Sequence, residues 1–212
     1  MIKDVIDETE GLELSKLMGF ASDGASVMIG AENGVAAKLK MLVSELHSAH
    51  CVAHREALAA SSAVKRVALA VSIDKVLTQV NGLFAHSTLK KEIFSQAKKA
   101  LGVNTPGLQT HSKTRFLSRF GSVKAVVLNY GVLLKFTREE GGQVVQLKDV
   151  ERQQLPASLC HSLEEFRTLG MVHFMCDILL VLSNLNRFFQ YRLITYASIV
   201  EQLDNTKMKL EY

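Results

Sequence analysis

Tryptophan is absent from this 212-residue chain, and proline occurs only twice. With so little proline, long helices can run uninterrupted, and the abundance of Ala, Leu, Val and Lys favours helix over sheet. Cysteine is sparse too. Cys51, Cys160 and Cys176 are odd in number and far apart, which excludes a disulfide framework and points to reduced thiols of an intracellular protein. Long apolar runs are missing: the most apolar stretch, Met171 to Leu182, falls short of the ~20 residues that span a bilayer and is interrupted by His173 and Asp177. The opening segment MIKDVIDETEGLELSK is charged and has no apolar signal core. Positive residues are spread rather than clustered, so the net charge of +4 permits contact with a polyanion without demanding it. No nucleophile elbow, phosphate loop or HExxH motif occurs.

What is present is enough apolar sequence, 48% of residues, to bury a sizeable core. Leu17 to Ser22 reads as a buried strand stopping at Asp23-Gly24, and Leu46 to Val52 as a second strand. Between them Val35, Ala36, Leu39 and Leu42 have helical spacing, and Ala53 to Ala63 continues as an Ala-rich helix. From Val64 the pattern is helical almost throughout. Val67, Val71, Val76, Leu77, Val80, Leu83 and Phe84 recur at three and four, and Ser87 is placed to cap a helix running to Ala100. A loop follows from Gly102, then a helix from Arg115 to about Lys135. Glu139 to Arg152 reads as a loop or small hairpin. Two further helices are expected, Ser158 to Gln190 with a break at Gly170, and Leu193 to Leu210. The expected fold is mixed α/β and mostly helical, with a strand-bearing part over 1–64 and a helical array over 65–212.

Three groups of residues carry possible chemistry. Asp23 ends a strand, where a carboxylate either projects into a cleft to hold a divalent metal or makes a local Asp-Gly turn. His47, His50, Cys51 and His54 fall within eight residues in HSAHCVAHREAL. They are either zinc ligands lacking a second pair or, for Cys51 and His54, inward-facing groups at a strand-to-helix junction with the imidazole bonded to backbone. Arg115 and Phe116 pair a guanidinium with an aromatic ring, an arrangement that suits phosphate and a stacked base; equally, Phe116 begins the apolar face of its helix. The stripe of Met171, Phe174, Met175, Ile178, Leu182 and Leu185 suits core packing or a subunit surface.

Four stretches in order, GFASDGASVMIGAENGVAAKLK, HCVAHREALA, TRFLSRFGSV and FMCDILLVLSNLNRFFQ, resemble the hAT superfamily of cut-and-paste DNA transposases and their domesticated relatives, many of which carry N-terminal zinc fingers. The resemblance implies an RNase H-like sheet interrupted by a helical insertion, here a partial core over 1–64 and insertion over 65–212, in a nuclear protein. It implies that Asp23 is the second of three metal-holding acids, that Cys51 and His54 form the family's Cys-x-x-His pair, and that Phe116 stands where the family has a base-stacking Trp. The other two acids have no counterpart. Asp4, Asp7, Glu8 and Glu10 lie in polar sequence without a strand, and Glu201 and Glu211 do not match the family's glutamate context. A single carboxylate cannot hold two metals about 4 Å apart. The expectation is therefore a non-catalytic remnant without a cofactor, the ancestral Mg²⁺ included, acting as a protein-interaction module or, alternatively, as a residual DNA-binding one.

Overall fold

The computed structural model describes residues 12–85, 87–108, 116–137, 157–191 and 193–211; of residues 116–118, 137 and 157 it describes the backbone alone. The elements are strands β1 (Gly19–Ser22) and β2 (His47–His50) and helices α1 (Ser26–Ile29), α2 (Val35–Leu42), α3 (Val52–Lys65), α4 (Ala68–Ala85), α5 (Thr88–Ala100), α6 (Phe116–Thr137), α7 (Ala157–Glu164), α8 (Phe166–Phe188) and α9 (Tyr196–Glu211). The protein is thus mostly helical with one small sheet. The chain divides into two units, Met1–Ala59 and Ala60–Tyr212, the division falling within α3.

In the first unit β1 and β2 pair in parallel, with Gly19 opposite His47 and Ser22 opposite His50. A parallel pair needs a crossover, which α1 and α2 supply. Leu39, Val43 and Leu46 form a small core against Leu14, Leu17, Phe20 and Val35. The expectation of a buried first strand is corrected: of β1 only Ser22 is buried, because two strands cannot cover each other's faces.

The second unit is built around α6. Its buried positions nearly encircle it, from Phe120 and Val123 through Val126 and Tyr130 to Leu133, leaving Lys124, Leu128, Gly131 and Lys135 as one narrow exposed stripe. Helices α4, α5, α7 and α8 all pack against α6, which explains why it reads as apolar nearly all round rather than amphipathic. Phe84 of α4, Phe94 of α5 and Phe136 of α6 meet with ring centroids 5.0 to 5.9 Å apart, a separation at which aromatic pairs attract.

Helix ends follow the local chemistry. The Ser87 Oγ accepts from the Lys90 N–H at 3.1 Å, as the sequence predicts for an N-cap. Helix α5 ends at Gly102, whose φ of +66° lets the Val103 N–H reach back to the Lys98 carbonyl at 2.9 Å, a Schellman closure that a side chain at 102 would strain. Helix α4 begins one residue after Val67, so Ala70 and Ile73 take the buried places expected for Val67 and Val71. The break expected at Gly170 lies instead at Glu165, the N-cap of α8. Gly170 is an exposed interior residue whose helix-propensity cost of about 1 kcal/mol is outweighed by the packing on either side. The expected loop or hairpin at 139–152 lies outside the described residues.

Helix α8 runs for 23 residues and is apolar enough to cross a membrane by length and hydropathy, longer than the short stretch its sequence suggested. Its inner face, Thr168, Val172, Met175, Leu179, Ser183 and Asn186, is buried, while its outer face carries His173, Asp177 and Arg187. The expected stripe is split: Met175 and Leu185 are buried, whereas Phe174 is exposed.

Tyr130 joins α6 to α7 by donating its hydroxyl hydrogen to the Leu163 carbonyl at 2.7 Å. Burial raises its pKa from 10.0 to about 12. Because the folded state holds the phenol neutral, this stabilisation is complete below pH 10 and is lost as pH rises toward 12, where the unfolded chain ionises first. Urea midpoints of the wild type and Tyr130→Phe should accordingly differ by a constant amount below pH 10, and the wild type's advantage should shrink between pH 10 and 12. A difference that does not change with pH would show that the phenol titrates alike in both states.

Candidate functional site

Both strands of the first unit end at the same edge of the sheet, and the candidate residues collect there. The Cys51 N–H donates to the Ser22 carbonyl at 2.8 Å, closing the sheet one residue beyond β2. Asp23 follows β1 directly and is exposed. Its Oδ1 accepts from the Ala25 N–H at 3.3 Å, the local bond of an Asx turn. The two readings of Asp23 therefore meet in one place: it stands at the carboxyl end of a strand, and it shapes the turn that leaves it.

Gly24 lies against the far end of the His50 side chain. A Cβ there would lie 2.7 Å from His50 Cε1, so the imidazole rests directly on the backbone of the turn. The His50 ring lies 5.3 Å from that of His54, tilted by 33°. His50 Nε2 is buried without a partner among the described residues. Cys51 and His54 are both half-buried, as a junction between β2 and α3 predicts. Among the described residues the ring beside the His54 imidazole is that of His50. The part played by His50 was not legible in the sequence; the glycine after Asp23 was the available signal, since a close neighbour is one reason for a glycine at a strand end.

Among the described residues no three of His, Cys, Asp and Glu gather closely enough to hold a metal ion. Asp4, Asp7, Glu8 and Glu10 lie outside the described residues, and Glu201 and Glu211 are on the exposed surface of α9 in the other unit. Among the described residues the carboxylate at this end of the sheet is that of Asp23, already turned toward a backbone N–H.

In the second unit, Arg115 lies outside the described residues, and of Phe116 only the backbone is described, as the first residue of α6. One turn on, Arg119 borders an open cleft of about 660 Å³ shared with Lys65, Asp74, Lys75, Thr78 and Gln79. Its guanidinium is already engaged, Nη2 standing 2.5 Å from Asp74 Oδ2. The three cysteines are free thiols; burial, followed by the charge of Asp177, raises the pKa of Cys176 against a smaller opposing effect of Lys124.

No family model matches the chain, and no solved structure matches it. The likeness to hAT transposases stands on the four sequence segments themselves.

Helix α9 carries a partly exposed apolar line: Tyr196, Val200, Leu203 and Leu210 follow one another along it, Tyr196 83% exposed and the other three 36–40%. On one side of this line Thr206 is buried and Ile199, Gln202 and Asn205 are half-buried, α9 packing on α8; on its other side Ala197, Glu201, Asp204 and Met208 are exposed.

Proposed function

We propose that this chain is a transposase-derived module without phosphoryl-transfer chemistry of its own, which binds a protein partner in the nucleus through the apolar line along α9. The observation that carries this reading is the apolar line of α9, Tyr196, Val200, Leu203 and Leu210, left partly in water; contiguous apolar surface of this kind marks interaction sites. The non-catalytic half of the reading rests on the sequence, in which Asp23 is the one acid that stands where the family has a metal-holding acid; its carboxylate accepts from the Ala25 N–H in the turn after β1. The RNase H-like assignment of 1–64 is supported by the parallel pair with Asp23 at its carboxyl end, and the insertion assignment of 65–212 by the helical array. The alternative, a residual DNA-binding module, rests on Arg115 and Phe116, of which only one backbone is described, whereas α9 offers a described surface.

A photo-crosslinking amino acid placed at Leu203 in the cell should form a covalent protein adduct, and Val200→Asp should suppress it by at least about tenfold, since a buried unpaired charge is expelled from an apolar contact. The reading fails if no adduct forms with a folded chain, or if Val200→Asp leaves the adduct intact.

A further inference from the structure

The cleft of about 660 Å³ beside Arg119 draws its wall from three helices of the second unit: Lys65 from the last turn of α3, Asp74, Lys75 and Gln79 from α4, and Arg119 from the first turn of α6. Among the described lining residues three are cations and one is an acid. That acid is already engaged. Asp74 Oδ2 stands 2.5 Å from Arg119 Nη2, and its Oδ1 is buried, so the carboxylate offers nothing further to the open space. Lys65 and Lys75 are exposed and belong to none of the described ion pairs, which are Lys16–Glu13, Arg119–Asp74 and His161–Glu165.

Like charges on one concave wall repel, and the walls of a cleft focus their field. Three cations and one carboxylate leave this wall with a net charge of +2. A phosphate monoester carries a charge of about −1.5 to −2 at pH 7, which balances it, whereas each diester of a nucleic acid backbone carries only one. The donors present suit phosphate oxygens too. An ammonium has three N–H groups and a guanidinium five, and the Asp74 contact is made by Nη2, which holds Arg119 at the wall. The Ser61 hydroxyl has no partner among the described residues, and Gln79, whose amide donates to Ser158 Oγ at 3.3 Å, keeps a second amide hydrogen. Positive residues are otherwise spread along the chain, an arrangement that suits a compact anion better than an extended one, and the volume falls within the ~300–1,000 Å³ of small-molecule sites. We infer that this cleft binds a small organic phosphate monoester, its phosphate held by Lys65, Lys75 and Arg119, with Asp74 as the positioning residue for Arg119.

Isothermal titration calorimetry of the full chain at low ionic strength should show saturable one-to-one binding of two monoester probes with different bodies, adenosine 5′-monophosphate and phenyl phosphate. Cyclic adenosine monophosphate, which has the same nucleoside but a diester, should bind at least about tenfold more weakly, the worth of one hydrogen bond to a charged group. Lys65→Glu and Lys75→Glu should each weaken the monoesters by at least about tenfold for the same reason, with an unchanged thermal melt because both side chains are exposed. Lys40→Glu makes the same charge change on an exposed lysine of the first unit and should leave the affinity as it is. Added salt should weaken binding by screening.

No saturable heat with either monoester at millimolar concentration, equal affinity for the cyclic diester, or equal weakening by Lys40→Glu would each overturn the inference. So would single-stranded oligothymidylate that binds more tightly than adenosine 5′-monophosphate and loses its affinity in Lys75→Glu, since that result puts a diester backbone in the cleft. The site is separate from the apolar line of α9: the Leu203 photo-adduct forms or fails whatever the calorimetry shows.

Discussion

Leu133→Ala should destabilise the helical unit by about 3–4 kcal/mol, within the ~2–5 kcal/mol found when a buried leucine is truncated. Leu133 lies on α6 and is wholly buried, at the place where α6 is covered by its neighbouring helices. The lost methyl groups remove transfer free energy, and the void is not refilled, because the backbone around it is fixed by packing on several sides at once. Leu128 is the internal control. It lies on the same helix, five residues earlier, and is 40% exposed, so Leu128→Ala should change stability by less than about 0.5 kcal/mol. Chemical denaturation of the two variants checks both values. Equal losses would mean that α6 does not occupy the centre of this unit. For a domain whose total stability is ~5–15 kcal/mol, the expected loss at 133 brings the folded population close to its limit.

Asn129→Ala should cost about 2–3 kcal/mol and release the segment before α6. The side chain is fully buried and uses both ends of its amide. Oδ1 accepts from the Thr105 hydroxyl at 2.7 Å, while Nδ2 donates to the Pro106 carbonyl at 3.0 Å and to the Ala125 carbonyl at 2.7 Å. Alanine would leave the loop partners without the bonds that hold them, and an unsatisfied buried polar group costs ~1–3 kcal/mol. The same loop is tied from its other side by Lys98, whose ammonium donates to the Thr105 carbonyl. Hydrogen exchange should therefore accelerate at 103–108 in Asn129→Ala while the centre of α4 remains protected. Unchanged exchange at those residues would show that Lys98 alone holds the loop. This clamp also bears on the proposed ancestry, because the segment it anchors leads toward Thr114 and Arg115, where the resemblance sets a DNA contact.

Ser183 makes a useful comparison with Asn129. It too is fully buried, yet its hydroxyl has no partner among the described residues. Together with Asn186 and Thr206 it makes the neighbourhood of α8 and α9 more polar inside than the rest of the core. Two helices that meet through such groups gain little from burying them, and the apolar line of α9 is left facing water.

Much of this architecture was legible in local sequence, for local reasons. Ser87 capped its helix because a serine hydroxyl can reach an N–H three residues on wherever the chain turns into a helix. Asp23-Gly24 ended its strand because a short carboxylate bonds to the backbone beside it. Scarcity of proline and the recurrence of Val, Leu and Phe at three and four residues were sufficient for a helical array. Other features depended on partners distant in sequence. The four-residue periodicity of α9 reveals an apolar line but not whether it faces inward, and the packing turned Thr206 inside instead. Likewise no spacing rule could place the His50 ring on Gly24, or join Asn129 to Thr105, since each contact exists only once separate segments have been brought together. Hydrogen-bond geometry and helix propensity act over a few residues and belong to the sequence by itself; burial is a competition among all surfaces for limited interior space, and only the tertiary structure decides it.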